Sequence, residues 1–295
     1  MFKARSQMQV PAKYKLARQI RRLSGATMVA IAFSVSLCFG LSLGQSFAAA
    51  LQQPDPALAA IIDGPQRSDA NKARDRYRHP LEVLTFFGVK ADSNVIEIVP
   101  GKAGYWAEIL APYLKDRGLY TASGDPERDI APLKARIAAS PELYGKTVIT
   151  GFAGGDQEIA PPASADYVLT FRNIHNWMRA GTADAAFRAF YKALKPGGIL
   201  GVEEHRGRLD QPQDPQAKSG YVRQDYAIAL AEKAGFKLLG SSEVNANPKD
   251  TKDYPEGVWT LPPTYRLKDQ DRDKYSAIGE SDRFVLKFTK PAGAK

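Results

Sequence analysis

Between a short apolar run and a helical pattern, the chain places an acidic residue and two glycines within eight positions. These residues are Glu97, Gly101 and Gly104 of the stretch EIVPGKAGYW, residues 97–106. Glycine lets the backbone approach a ligand closely, and Glu97 can accept a hydrogen bond from an ammonium group. About twenty residues later comes Asp125, at a spacing that suits a carboxylate accepting both hydroxyls of a ribose. The pattern predicts a nucleotide-type ligand site, although a purely structural turn would also explain the glycines.

Two of the three histidines follow predicted strands, together with other polar residues. Asn173 and His175 come after the run VLTF, and Glu204 and His205 end the run LGVEEH. The carboxyl ends of parallel strands meet at one edge of a sheet, so we expect these four side chains to converge. A histidine, with an unperturbed pKa of ~6.5, suits the removal of a proton from a nucleophile.

Two other roles are open for the same residues. They could cap strand ends, or His175, Glu204 and His205 could bind a metal ion. The ligand types fit a metal, but the sequence contains no short-spaced pair of ligands. We therefore predict no metal site.

Strand-like and helix-like stretches alternate from residue 70 onwards. The predicted strands are 94–99, 119–123, 146–152, 166–171, 199–205, 237–244 and 282–290. Continuous apolar strands separated by helices favour a parallel sheet that is covered on both faces. No helix is predicted between residues 245 and 281, so the last two strands should form an antiparallel pair. The predicted fold class is α/β, with a doubly wound (Rossmann-like), mostly parallel seven-stranded sheet whose last strand is antiparallel.

The long connection 245–281 should begin and end at the edge of the sheet where the ligand is expected. A loop of this length in a compact domain is usually functional or disordered. Its prolines and aromatic residues make it too apolar for a disordered segment. We therefore expect a lid over the substrate. The aromatic candidates for the pocket wall are Phe171, Trp177, Trp259 and Tyr265.

The first fifty residues have the composition of an export signal. Seven basic residues and no acidic one accompany the apolar run 26–44, and Ala48 and Ala50 offer a cleavage pattern of small residues. The run is also nearly long enough for an uncleaved membrane anchor. We predict a signal peptide or anchor over 1–50, a linker over 51–67 and a domain over 68–290. This domain would be periplasmic, or anchored outside the cytoplasm.

The N-terminal segment accounts for most of the positive charge. The chain has 41 basic and 32 acidic residues, and 34 basic ones remain after the first fifty residues, which gives a net charge of +2. A nucleic-acid partner therefore loses its main support, and we expect none. The one cysteine, Cys38, also lies in that segment, so cysteine chemistry is excluded from the rest. The basic stretch RDRYRHP, 74–80, is either a solvated face or an anion site.

With its acidic residue, glycine-rich loop and second acidic residue, the chain resembles a class I S-adenosylmethionine-dependent methyltransferase. Its stretch GGDQEIAPPASADYVLTF is similar to the third and fourth motifs of that superfamily. The chain resembles most closely a bacterial family of predicted, often exported, methyltransferases, through TFRNIHNW (170–177), NANPKDT (245–251), GVWTLPP (257–263) and GESDR (279–283). The resemblance implies S-adenosylmethionine as cofactor and a small-molecule acceptor. It implies a cofactor site of Glu97, Pro100, Gly101, Ala103, Gly104, Tyr105, Asp125, Asp156 and Phe171.

The chain departs from the superfamily in its loop. Val99 stands where many of these enzymes have their first glycine, and Lys102 lengthens the loop.

The cofactor is made in the cytoplasm, which conflicts with an exported domain. A non-catalytic extracytoplasmic protein that binds another small ligand on the same fold is therefore the main alternative. A nicotinamide-dependent oxidoreductase is weaker, because the antiparallel pair and the LKPGG stretch do not favour it.

Overall fold

A seven-stranded sheet runs through the computed structural model of the protein, which describes residues 53–293. The strands are β1 (Asn94–Ile98), β2 (Leu119–Gly124), β3 (Val148–Gly151), β4 (Ala165–Phe171), β5 (Leu194–His205), β6 (Lys237–Ser242) and β7 (Arg283–Thr289). Their order is β3-β2-β1-β4-β5-β7-β6. The first five of these pair in parallel, whereas β7 is antiparallel to both β5 and β6. The predicted fold class is confirmed, including the antiparallel last strand.

Eleven α-helices of the described residues accompany the sheet. They are α1 (Pro56–Asp63), α2 (Asp69–Lys72), α3 (Asp75–Arg78), α4 (Pro80–Phe87), α5 (Ala107–Leu114), α6 (Ala131–Ala139), α7 (Pro141–Tyr144), α8 (Ile174–Ala180), α9 (Ala183–Ala193), α10 (Gln224–Lys233) and α11 (Arg272–Ile278). A π-helix precedes α6 at Pro126–Ile130, and a 3-10 helix covers Gly257–Thr260.

Two apolar clusters bury the two faces of the sheet. Helices α1, α4 and α5 contribute to one cluster, and α8, α9 and α10 contribute to the other. The central strand β1 is buried at all but its first residue because both of its faces are covered. Glycines stop two of the helices, since Gly88 (φ 88°) and Gly181 (φ 70°) adopt the left-handed conformation that ends α4 and α8.

Residues 53–67 are part of the domain, so the prediction of a linker over 51–67 is wrong for this stretch. Asp55 caps α1 by accepting a hydrogen bond from the Ala57 N–H at 2.8 Å. Leu58 and Ile62 are buried in the apolar cluster that α1 shares with α5. The hydroxyl of Tyr113 in α5 donates to Asp55 at 2.7 Å. The three prolines of this stretch led to the prediction of a linker. Pro56, however, lies in the first turn of α1, where a proline is compatible with a helix.

The signal peptide or anchor predicted over 1–50 lies outside the described residues. Within residues 53–293, no helix has both the length and the apolar character required to cross a bilayer.

The carboxyl ends of the parallel strands place the functional residues side by side. Ile98 of β1 pairs with Ser123 of β2 and with Thr170 of β4, and Phe171 pairs with Glu203 of β5. The segment 243–282, between β6 and β7, begins and ends at this same edge because the two strands are antiparallel. It contains the 3-10 helix and α11, which the sequence did not predict.

Candidate functional site

The loop between β1 and α5 forms one wall of the site, and its backbone has an unusual conformation. Gly101 and Gly104 adopt left-handed conformations, with φ angles of 68° and 56°. Val99 also has a positive φ, 57°, which is sterically costly for a β-branched residue. Its N–H donates to the carbonyl of Ser123 at 2.7 Å and so ties the loop to β2. A Cβ added at Gly101 would meet no atom within 4 Å, so this position borders open space.

A cavity of about 320 Å³ opens beside this loop. The loop, the end of β4, the end of β5 and the segment between β6 and β7 all contribute to its walls. It brings together nine of the residues predicted as catalytic or cofactor-binding. These are Glu97, Pro100, Gly101, Ala103, Tyr105, Phe171, Asn173, His175 and His205.

A second cavity of about 350 Å³ shares two lining residues with the first. Val99 and Asn173 line both cavities, and Phe152, Gly154 and Trp177 line only the second. The Nδ2 of Asn173 donates to the Ile98 carbonyl and to the Thr170 hydroxyl, both at 3.1 Å. Asn173 thus braces the ends of β1 and β4 against each other, and it lines both cavities.

Three residues predicted to bind the cofactor line neither cavity. A Cβ at Gly104 would press on Arg136 at 3.3 Å, so this glycine serves close packing. Asp125 lies at the end of β2, where its Oδ1 accepts hydrogen bonds from the Glu127 and Arg128 N–H groups. These bonds start the π-helix, and the hydrogen bond from the Arg128 N–H lowers the pKa of Asp125.

Asp156 does not reach a cavity, in contrast to its predicted role at an adenine. Its side chain is 64% exposed and lies 3.6 Å from Arg188 of α9. Its neighbours Phe152, Ala153 and Gly154 form the wall of the second cavity instead. The sequence does not determine which residue of this turn points inwards, and the structure places the side chain of Asp156 outside the cavity that its neighbours line.

Glu97 is a buried carboxylate at the end of β1. It accepts a hydrogen bond of 2.5 Å from the Tyr120 hydroxyl. Burial raises the pKa of Glu97 to about 7, although the Tyr120 bond and the charge of Arg78 oppose the shift. A carboxyl group poised near neutral pH at a cavity wall can pair with a cationic ligand group when ionised.

His175 and Glu204 form a buried dyad. The Nδ1 of His175 lies 3.1 Å from Oε1 of Glu204, and the His175 N–H donates to Oε2 at 3.3 Å. Glu204 is fully buried and lines neither cavity, and its Oε1 also accepts a hydrogen bond from the His205 N–H at 2.9 Å. An ionised Glu204 can only accept, which assigns the proton to Nδ1 and leaves Nε2 of His175 as a proton acceptor.

His205 lies next to His175, with 5.5 Å between the ring centroids. Its Nδ1 is 2.5 Å from the Ser281 hydroxyl. Burial lowers the pKa of His205 well below its usual value, and the neighbouring His175 ring and the charges of Arg172 and Arg283 lower it further. His205 is therefore a neutral imidazole at physiological pH, suited to hydrogen bonding rather than to carrying charge.

His175, Glu204 and His205 offer ligand atoms that all lie within 4.8 Å of one another. Histidine and carboxylate ligands suit zinc or another transition metal. In this arrangement, however, Glu204 is engaged by the ring and the backbone of His175. That geometry is typical of a carboxylate that orients a histidine, so the dyad is sufficient to explain the cluster.

The segment 243–282 supplies the outer wall of the first cavity through Val258, Trp259 and the run 262–264. The Trp259 ring packs edge-on against His175 at 5.8 Å, and Arg266 lies 4.6 Å from its centroid. Tyr265 points elsewhere, since its hydroxyl bonds Ser276 at 2.8 Å. Of the four aromatic wall candidates, Phe171 and Trp259 line the first cavity and Trp177 lines the second.

The sequence did not predict the arginines of the first cavity as a group. Arg74 and Arg78 belong to the stretch RDRYRHP, for which an anion site was one of two interpretations. Arg172 follows β4 with a positive φ of 62°, and Arg283 begins β7. All four line the cavity. The sequence feature that could have indicated these arginines is their position within or beside polar motifs at the strand ends.

No family model matches the chain, and no curated protein matches it either. Solved structures do match. An S-adenosylmethionine-dependent methyltransferase from Aquifex aeolicus is 15% identical, with a TM-score of 0.52 over 81% of this chain and 100% of that one. The [4+2]-cyclase SpnF is 17% identical, with a TM-score of 0.55 over 81% and 93% of the two chains. The sheet order and these superpositions agree. The chain has the class I methyltransferase fold.

A third similar structure is the Haemonchus contortus phosphoethanolamine N-methyltransferase 2, in complex with phosphomonomethylethanolamine and S-adenosylhomocysteine. It is 17% identical, with a TM-score of 0.50 over 79% of this chain and 60% of that one. In an open α/β sheet, ligands bind outside the carboxyl ends of the strands. Both cavities of this class I methyltransferase fold open at that edge, where Glu97, Asn173 and His205 end or follow β1, β4 and β5.

Proposed function

We propose that the protein binds S-adenosylmethionine across the two cavities and transfers its methyl group to a small-molecule acceptor. The observation that carries this proposal is that the two cavities share a wall. Val99 and Asn173 line both of them, and His175 of the Glu204 dyad lines the first one, two residues after Asn173. The similar Aquifex and Haemonchus proteins, which are methyltransferases, support the same conclusion.

The residues at hand fit such a cofactor. Glu97 can pair with its ammonium group, and the open face of Gly101 leaves space for its amino-acid part. The aromatic residues of the second cavity, Phe152 and Trp177, suit an adenine ring. Asp125 lines neither cavity, but it caps the turn that brings Arg128 to the second one, and lone pairs that this cap does not use can receive the ribose hydroxyls. Together the cavities lie within the size range of ligand pockets.

When bound, the cofactor supplies a methyl group on a positively charged sulfur, which a nucleophile attacks in line. His175 would accept the proton of that nucleophile on Nε2, while Glu204 stabilises the imidazolium through Nδ1. His205, held neutral, would hydrogen-bond the acceptor. Trp259 and its neighbours would exclude water from the cavity, which gives the predicted lid a function.

The alternative is a non-catalytic protein that binds a different ligand. SpnF, whose fold is similar, is a cyclase, so the fold alone does not establish methyl transfer. Calorimetry with S-adenosylmethionine and S-adenosylhomocysteine separates the two functions. We expect both to bind. No heat up to millimolar ligand would favour the non-catalytic alternative.

Two variants test the orientation of the cofactor. Asp125→Asn keeps an acceptor for the helix cap but removes the charge, so affinity should fall by about tenfold to a hundredfold with little loss of stability. Asp156→Asn is the matched control, because that side chain is exposed and lies away from both cavities. Equal effects of the two substitutions would contradict the proposed site.

A further inference from the structure

The first cavity contains more guanidinium groups than its carboxylates can pair. Arg74, Arg78, Arg172 and Arg283 line it, and two carboxylates, Glu203 and Glu280, serve all four. Arg283 pairs with both carboxylates, and Arg74 bonds Glu280 at 2.6 Å. Glu97, the other acid at the wall, accepts a hydrogen bond from the Tyr120 hydroxyl. The cluster therefore keeps an excess of positive charge at the cavity surface.

Three of these arginines retain buried nitrogen atoms without a hydrogen-bond partner within the described residues. The atoms are Nε of Arg78, Nε of Arg172 and an Nη of Arg74. The Arg78 side chain is only 2% exposed, and its nearest carboxylate oxygen, on Glu280, is 3.8 Å away. Arg172 lies 3.6 Å from Glu203, which is also beyond hydrogen-bond distance. Buried donors of this kind are rare, and each calls for a partner that completes it.

The electrostatics agree with the geometry. Burial lowers the pKa of Arg78 well below its usual range, and the charges of Arg172 and Arg74 lower it further. Burial and Arg283 lower the pKa of Arg172 to about 10. Burial opposes the ionisation of Glu280, but Arg283 and Arg74 still lower its pKa to about 2. Glu280 is thus fully ionised, and the guanidinium groups still repel one another.

The cofactor of the proposed function does not balance this charge. S-adenosylmethionine carries two positive groups, the sulfonium and the ammonium, and one carboxylate. Its arrival would increase the positive charge of the cavity. The missing negative charge must therefore come with the other reactant, which shares the cavity with His175 and Arg172, three residues apart on the same wall.

Resting on the proposed function, we infer that the methyl acceptor carries an oxyanion, a carboxylate or a phosphate, that Arg78 and Arg172 bind beside His175. Guanidinium groups suit both anions because their planar N–H donors match two oxygens at once. The acceptor is thus a small molecule whose nucleophile and anionic group both fit within the first cavity.

The test uses matched probes of known charge. Benzoate, phenyl phosphate and the neutral benzamide are titrated into the protein by calorimetry, with and without saturating S-adenosylhomocysteine, at constant chloride. We expect the two anions to bind at least about tenfold more tightly than benzamide. Arg172→Gln and Arg78→Met should each weaken the anions by about tenfold to a hundredfold and leave benzamide unchanged.

Arg188→Gln is the control, since Arg188 is 55% exposed and pairs with Asp156 outside the cavity. Melting curves verify that each variant is folded. If Arg78→Met does not fold, Arg172→Gln alone still tests the inference. Equal binding of benzoate and benzamide, or unchanged anion affinity in both variants, would overturn the inference.

A further experiment determines whether the arginines bind the anionic group of the acceptor or the carboxylate of the cofactor. If the arginines hold the cofactor, Arg78→Met should weaken S-adenosylhomocysteine but not 5′-methylthioadenosine, and S-adenosylhomocysteine should displace benzoate. That result would also overturn the inference. Absence of S-adenosylhomocysteine binding would instead contradict the proposed function, while the titrations without it still report on the oxyanion site.

Discussion

At the scale of single residues, His175 and Glu204 make the most specific chemical prediction. His175→Ala should lower turnover by roughly 10²- to 10⁴-fold, because the variant lacks the base for the acceptor proton. Glu204→Gln should also lower turnover, since a neutral amide stabilises the imidazolium less. Both should leave the affinity for S-adenosylhomocysteine unchanged, as neither residue is assigned to the cofactor.

The control for this pair is His79→Gln, because His79 bonds Asn245 at 2.9 Å and does not line the first cavity. A methyl-transfer assay with a small anionic acceptor gives turnover, and calorimetry gives the affinity. Unchanged turnover in both His175→Ala and Glu204→Gln would show that the dyad has a structural role and no catalytic one.

Glu97 gives a prediction about the pH dependence of stability. Its pKa in the folded protein is about 7, above the value of 4.5 for a free glutamate. Between these values the folded protein holds a proton that the unfolded chain has released. The contribution of Glu97 to stability is therefore present below pH 4.5 and is lost as the pH rises to 7. Glu97→Gln should remove a pH-dependent difference on the order of 3 kcal/mol.

Urea unfolding of the ligand-free protein at pH 5 and pH ~8 measures this difference. The exposed Glu142→Gln is the control and should keep the slope of the parent protein. A wild-type curve that is flat over this interval, with parallel curves for both variants, would contradict the raised pKa.

The sequence predicted those residues whose position follows from a strand end. His175, His205 and Asn173 converge because the carboxyl ends of β4 and β5 are neighbours in a parallel sheet. The prediction that Asp156 lines the site failed because Asp156 lies in an irregular turn, where strand order does not fix the direction of a side chain. The arginine cluster could not be predicted, since Arg74 and Arg283 meet across more than two hundred residues at Glu280.

At the scale of elements, the loop after β1 carries strain at Val99. Val99→Gly relieves a left-handed conformation that costs about 1–2 kcal/mol in a residue with a Cβ. This gain should offset most of the lost packing and the added chain entropy of about 0.5–1 kcal/mol. The net change in the free energy of unfolding should thus stay within about 1 kcal/mol.

Val95→Gly is the matched control, because Val95 is buried in regular strand β1. It should cost at least about 2 kcal/mol. Denaturant unfolding compares the two variants. Equal losses would mean that the backbone at Val99 stores no strain.

The segment between β6 and β7 acts as a fixed wall as much as a lid. Asp250 is buried and accepts hydrogen bonds of 2.8 Å from the Tyr221 hydroxyl and from the Asp282 N–H. A deletion that removes Asp250 would disturb the domain.

The substitution Trp259→Ala tests the role of the segment without a deletion. It should reduce turnover and acceptor selectivity, while cofactor affinity and melting temperature stay close to those of the parent. Selectivity between two acceptors of different size is the measurement, and an unchanged ratio would contradict a role in shaping the pocket.

The alternation of apolar strands and helices was sufficient to predict the sheet, because each buried parallel strand needs a covering helix. The short α8, which carries His175, was not predicted, since a seven-residue helix has too few turns to show a periodicity. Helix α11 was missed for the same reason. Only their packing against the sheet and the loop makes such short helices stable.

At the scale of the whole molecule, export remains a prediction from the sequence. Cleavage near Ala48 or Ala50 should yield a mature chain that begins just before α1, because Leu58 and Ile62 are needed in the core. N-terminal sequencing of the protein from its native host tests this. A soluble cytoplasmic chain that begins at Met1 would contradict export and would remove the conflict with cofactor supply.

The arginine cluster also has a consequence for kinetics. A concave wall with excess positive charge focuses its electric field into the solvent at the cavity mouth. Anions should be steered towards it, and their association rate constants should fall as salt shortens the Debye length, which is about 8 Å at physiological ionic strength. Neutral molecules of the same shape gain no such acceleration. The cavity would therefore discriminate by charge during diffusional approach, before the first contact is made.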